Sequence, residues 1–246
     1  MIELKHITVD FGKRRILDDI SARLEEGCIT AVMGPNGCGK TTLLRCIGAL
    51  LEPTSGTAEI DSRRVKEYSA RELAQKVAFV RQQVQTDFEF SAFETVLMGR
   101  NPYQRRMQNE SQADWDIVER CMKQTGTWHL RFAKPGEMSG GEMQRVMIAR
   151  ALAQETPVLL MDEPVSNLDI AHQLEIMRLL GGMDKTVVIV IHDLNLALQF
   201  CDRLLLIHDG RMLYHGDMAG GLTPENIQTV YGVKTHMAED RIIFDY

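Results

Sequence analysis

The stretch Gly34-Pro35-Asn36-Gly37-Cys38-Gly39-Lys40-Thr41-Thr42 leaves a chain few ways to fold. Three glycines in six residues let the backbone curl tightly, so that successive N–H groups point inward at one anion. The apolar run Ile29-Thr30-Ala31-Val32-Met33 leads into the curl and reads as a buried strand, and Leu43-Leu44-Arg45-Cys46-Ile47 follows as the first turns of a helix. A helix N-terminus placed there adds unpaired donors and the positive end of the helix dipole. Lys40 brings a mobile positive charge, and Thr41 a hydroxyl of the kind Mg²⁺ accepts. The run fits G-x-x-x-x-G-K-[ST], the P-loop pattern, whose chemistry is the binding of nucleotide phosphates. A bare Gly-rich turn would not need a buried strand before it and a helix after it.

The other segments must supply a core for that loop. The 246 residues suffice for one large α/β unit, or for a core with a smaller subdomain. A hydrophobic share of 44% and a charged share of 25% suit a globular chain, and a net charge of −6 argues against a nucleic-acid partner held by a basic field. The longest apolar strand candidate, 187–191, is too short to span a bilayer, and the first six residues lack a signal-peptide pattern. Five scattered cysteines without C-x-x-C spacing read as reduced thiols.

Three strand ends carry chemistry. The apolar run 157–161 ends in Asp162-Glu163-Pro164. Two acids past a buried strand must face solvent, a metal or a cation. Beside a phosphate loop, Asp162 can hold Mg²⁺ and Glu163 can orient and deprotonate a water. Residues 186–191 end in His192, either a hydrogen-bonded structural residue or a catalytic contact. Residues 77–80 end at Arg81-Gln82, and Gln82 matters because strand C-termini in a parallel sheet face the ligand. Phe11 closes the first strand as a core aromatic or as a platform for adenine.

Between 84 and 152 the pattern turns helical. Ser69/Glu72 and Ser91/Glu94 are capping boxes. Residues 103–114 read as a polar loop, followed by helical spacing at Trp115, Val118, Cys121 and Met122. Ser139-Gly140-Gly141-Glu142 opens a long helix, either as an ordinary N-cap or as a second anion-binding device. Ser166-Asn167-Leu168-Asp169 caps another helix, Asp209-Gly210 turns a hairpin, and Thr223-Pro224 starts a last helix. The expected division is a P-loop core of 1–83 and 153–217, a helical subdomain of 84–152, and a short tail of 218–246.

In this order and spacing, the P-loop, Gln82, Ser139-Gly140-Gly141-Glu142, Asp162-Glu163, Ser166-Asn167-Leu168-Asp169 and His192 resemble the ATP-binding subunit of ABC transporters over nearly the whole chain. The resemblance implies an α/β fold: a P-loop NTPase core with a mixed, mainly parallel sheet, an N-terminal antiparallel β part and an inserted α-helical subdomain. It implies ATP hydrolysis coupled to transport, with ATP and Mg²⁺ as cofactors. Phe11 would stack on adenine. Gly34, Pro35, Asn36, Gly37, Cys38, Gly39, Lys40, Thr41 and Thr42 would hold the phosphates, and Thr41, Gln82 and Asp162 the metal. Glu163, His192 and Gln82 would be catalytic. Ser139, Gly140, Gly141, Glu142 and Asp169 would meet the nucleotide of a second copy in a head-to-tail homodimer. The implied partners are membrane permease subunits and an external substrate-binding protein, at the cytoplasmic face of the membrane. The segment 96–103 resembles importers of iron–siderophore, haem, cobalamin and related metal chelates. Met138, Glu142, Arg81 and Val165 depart from the commoner residues at their positions, and none removes a phosphate or metal ligand. A nucleotide kinase would have no use for Ser139-Gly140-Gly141 or His192.

Two local expectations complete the reading. Cys38, set among backbone amides ahead of a helix, should be a reactive thiolate shielded by MgATP. The helix end at 93–103, with Phe93, Leu97, Arg100 and Tyr103, should offer an exposed contact to a membrane partner.

Overall fold

A computed structural model describes residues 1–81, 90–104, 110–239 and 241–245. The chain forms two compact units, residues 1–68 with 184–246 and residues 69–183.

The first unit begins with β1 (Ile2–Phe11), β2 (Arg14–Leu24), β3 (Ile29–Met33), α1 (Lys40–Ile47), β4 (Ser55–Ile60) and β5 (Arg63–Arg64). Strands β2-β1-β4-β5 make an antiparallel sheet in that order. Alternation buries Ile2 and Leu4 of β1 and, past a register shift at His6 (φ 53°), Ile7 and Val9. The β1–β2 turn is only Gly12-Lys13, because Arg14 and Arg15 pair with Phe11 and Asp10.

The second unit contains α2 (Ala70–Ala74), β6 (Val77–Val80), α3 (Ala92–Leu97), α4 (Gln112–Gln124), α5 (Gly140–Ala153), β7 (Val158–Asp162) and α6 (Ile170–Gly181). Strands β6 and β7 are parallel. Capping boxes start α2, α3, α4 and α5 at Ser69, Ser91, Ser111 and Ser139. The box at Ser111, completed by Asp114, starts α4 inside the stretch that reads as a polar loop.

The chain then returns to the first unit with β8 (Thr186–Val190), α7 (Leu194–Phe200), β9 (Arg203–His208), β10 (Arg211–Asp217), α8 (Met218–Gly221), α9 (Pro224–Tyr231), β11 (Thr235–Ala238) and β12 (Arg241–Phe244). β3 pairs in parallel with both β8 and β9, and β10 adds an antiparallel edge. All five residues of β3 are buried, as are all five of β8, which is what continuous apolar runs in a parallel sheet require. Asp209 (φ 48°) and Gly210 (φ 75°) form the tight turn expected between β9 and β10. β12 pairs with β11, a strand the sequence pattern does not announce. Strand pairing is thus mixed and mainly parallel, with a separate N-terminal antiparallel sheet.

Candidate functional site: a phosphate loop and an acidic strand end

In the first unit, β3 delivers the loop and α1 leaves it. Gly34 adopts φ 144°, and a Cβ there would lie 2.1 Å from the Ile207 carbonyl oxygen of β9. Gly39 caps α1 at φ 107°, and its Cβ would lie 2.4 Å from Leu17 Cδ2. Neither position can carry a side chain without moving its neighbours, so the curl is fixed by close approach as well as by torsion. No side chain caps α1. Lys40 is 6% exposed, and its Nζ donates to the carbonyls of Gly34 (2.8 Å) and Pro35 (2.9 Å). Its ammonium thus bridges the loop from within, with a third N–H still to direct. Asn36 and Gly37 form the exposed rim, while Pro35, Thr41 and Thr42 are half-buried.

Cys38 departs from expectation. It is 6% exposed, and its Sγ lies 2.8 Å from where a Gly34 Cβ would stand. Burial pushes the thiol up and outweighs the Lys40 charge and the backbone N–H groups that favour thiolate. The sulfur is therefore a protonated packing atom at the base of the loop.

Two other candidate site residues lie in the first unit. Phe11 ends β1 with 52% of its surface exposed, so it is not the core aromatic of the simpler reading. His192 is exposed just past β8. Asp193 next to it caps α7, its carboxylate accepting the Leu196 N–H at 2.9 Å.

In the second unit, Asp162 is the last residue of β7 and 3% exposed. Glu163 follows at φ 49°, a left-handed conformation uncommon for a residue with a side chain. Its carbonyl accepts the Ser166 hydroxyl at 3.0 Å, which pins the turn. The left-handed step turns the chain sharply at the strand end, directly after the buried Asp162. Ser139 caps α5: its hydroxyl accepts the Glu142 N–H (3.3 Å) and donates to the Glu142 carboxylate (2.8 Å). The Ser139 backbone N–H, then its hydroxyl, hold the Glu142 carboxyl below its ordinary range. Gly140 has open space around it, whereas a Cβ on Gly141 would meet the Asn167 carbonyl at 3.3 Å. The helix start and the 166–169 turn are therefore neighbours. Asp169 caps α6 through the His172 N–H (2.9 Å) and pairs with His172 Nδ1 at 2.8 Å; the first of these, then the second, lowers its pKa. Gln82 lies outside the described residues.

A family profile described as ABC transporter matches residues 17–166, which span the P-loop, the Ser139 helix and the Asp162-Glu163 strand end. This chain belongs to the ABC transporter family. Among its ABC relatives, the cobalamin import ATP-binding protein of Halobacterium salinarum is 38% identical over 97% of this chain, and this chain spans 61% of that relative's length. The ferric enterobactin transport ATP-binding protein of Escherichia coli is 32% identical, covering 97% of this chain and 89% of its own. The hemin import ATP-binding protein of Bordetella avium is 36% identical, covering 95% and 92%. An ATP-binding cassette solved as a dimer with ADP and Pi superposes with TM-score 0.79 at 32% identity, covering 89% of this chain and 99% of that one. A structure described as a metal-chelate type ABC transporter, inward-facing, superposes with TM-score 0.82 at 25% identity, covering 99% and 95%.

One part of the expected surface at 93–103 is corrected: Tyr103 stays 36% exposed, but Arg100 is not on the surface. Arg100 is 7% exposed; its guanidinium pairs with Asp114 and Glu155 at 2.9 Å each and donates to the Ala153 carbonyl. Tyr103 lies under that guanidinium, and its hydroxyl donates to the Gln154 carbonyl. Phe93 packs edge-on against Trp115 and Trp128. Arg100 is an internal clamp and cannot serve as a docking charge.

One contact of the loop has almost no signature in the sequence. The Gly34 N–H, first amide of the P-loop, donates to the Tyr231 hydroxyl at 3.0 Å. The only local signal is an aromatic placed one residue before the helix-ending Gly232.

Proposed function

We propose that this chain is the ATP-hydrolysing subunit of an ABC importer for an iron–siderophore, haem, cobalamin or related metal chelate. The observation that carries the reading is similarity over nearly all of this chain, at 32–38% identity over 95–97% of it, to proteins named for cobalamin, ferric enterobactin and hemin import. The glycine-locked P-loop with Lys40 inside it supports ATP as the ligand. Two copies work as a dimer with membrane permease subunits and an external substrate-binding protein, the ATPase lying peripherally at the inner face of the membrane. No helix among the described residues is long and apolar enough to cross a membrane.

The residues divide the work by their chemistry. The P-loop amides, Lys40 and Thr42 bind and orient the phosphates, and exposed Phe11 stacks on the base. Mg²⁺ fits the donor set, since the Thr41 hydroxyl, the Gln82 side chain and the Asp162 carboxylate are hard oxygen ligands. When bound it neutralises phosphate charge. Glu163 orients the attacking water and takes its proton. His192 donates to the terminal phosphate. Ser139, Gly140, Gly141, Glu142 and Asp169 face the nucleotide of the second copy.

Glu163→Gln keeps size and hydrogen bonding but loses the basic oxygen. Phosphate release should fall by roughly 10²–10⁴-fold, the usual contribution of a general base. ATP binding should remain. Turnover near wild type would remove Glu163 from the role. Copurification of permease subunits from membranes tests the transport half of the reading.

A further inference from the structure

The Tyr231–Gly34 hydrogen bond ties the C-terminal segment to the phosphate loop, and none of the loop chemistry above uses it. Gly34 is held on three sides. The Ile207 carbonyl fills the space a Cβ would need, Cys38 Sγ closes the next flank, and the Tyr231 hydroxyl takes the amide proton. This amide begins the curl that sets where every later N–H points. It is buried, so removing its acceptor leaves a donor that water cannot replace.

Tyr231 stands on a rigid post. Helix α9 is started by the Thr223 hydroxyl, which accepts the Asn226 N–H at 3.2 Å, and by Pro224 in its first turn. Ile227 (1% exposed) and Val230 (5%) anchor its inner face. Gly232 ends it at φ 72°, directly after Tyr231. Burial pushes the phenol up to about 12, so at neutral pH the oxygen is a neutral hydroxyl with lone pairs available to the amide.

We infer that Tyr231 is a positioning residue of the nucleotide site: through Gly34 it holds the P-loop in its ligand-ready curl, so the C-terminal segment sets ATP affinity. The inference rests on the ATP-binding reading above. Without the hydroxyl the loop spends part of its time in other conformations, and apparent affinity falls in proportion to the competent fraction. Bound ATP restores the curl, so the saturated rate is spared.

The test uses the full chain with MgATP as probe. Tyr231→Phe keeps the ring and its packing. Its Kd and KM for ATP should rise about tenfold, with kcat within twofold of wild type. Hydrogen exchange of a peptide spanning Gly34 should speed up in the same variant. Ile227→Ala, which weakens the same helix without touching a polar contact, should lower Tm but leave Kd within twofold. An unchanged Kd in Tyr231→Phe, or an equal rise in Ile227→Ala, overturns the inference. Wild-type protein that binds no ATP overturns both this inference and the function it rests on, and so separates the two failures.

Discussion

A thiol set among backbone amides is pulled in two directions. Amide dipoles and the Lys40 charge favour the thiolate, while loss of water favours the thiol. At Cys38 burial wins, because the side chain turns under the loop towards Gly34 instead of towards the phosphate side. Sequence supplies the amides and the lysine but says nothing of which way a side chain turns in a curl, so the electrostatic half of the balance is legible and the burial half is not. Maleimide at pH 7 should therefore spare Cys38 and react first with half-exposed Cys28. Both thiols are raised, so thiolate is scarce at pH 7 and labelling should keep accelerating with pH through the ordinary thiol range near 9 instead of levelling off there. Peptide mapping by mass spectrometry reads this out. Rapid, MgATP-blocked labelling of Cys38 at pH 7 would restore the thiolate. Cys38→Ser should hydrolyse ATP normally.

At the scale of elements, what is local in sequence was readable and what is brought together by folding was not. The Ser69/Glu72 and Ser91/Glu94 boxes need only four residues each, and both start the expected helices. The Ser111/Asp114 box uses an acid one methylene shorter and hides in a polar run. Arg100 looks like surface charge because nothing nearby in sequence shows that Asp114 on α4 and Glu155 past α5 will enclose it. Arg100→Met keeps an apolar stem and removes the fork. Fully buried pairs broken in this way cost about 3–5 kcal/mol. Glu155 is 39% exposed and regains water, so roughly 2 kcal/mol is expected here. That corresponds to a fall in Tm of about 4–8 °C, measured by thermal melting, with ATP affinity little changed. An unaltered Tm would show that the clamp contributes nothing.

At the scale of the whole molecule, one chain carries two helix starts suited to an anion, α1 behind the P-loop and α5 behind Ser139, yet one ATP has a single phosphate tail. Pairing the α5 start of one copy with the ATP of another resolves the excess, and the related cassette solved with ADP and Pi is a dimer. Gly140 offers a clean test and Gly141 does not. A Cβ on Gly141 presses on Asn167, so an acid there would disturb the 166–169 turn, whereas Gly140 has nothing within 4 Å. Aspartate at 140 also enters the first turn of a helix, where a negative charge adds about 0.3–1 kcal/mol of stability. Gly140→Asp should therefore fold at least as well as the parent and still bind ATP at its own P-loop. Its carboxylate would meet the partner's phosphates, and two like charges 4 Å apart repel by about 4 kcal/mol at an effective dielectric of 20. In a Glu163→Gln background, ATP should drive dimerisation measured by light scattering, and adding Gly140→Asp should abolish it. A double variant that dimerises as readily as Glu163→Gln alone would mean that α5 meets no phosphate and that its Ser139–Glu142 box serves only to cap the helix.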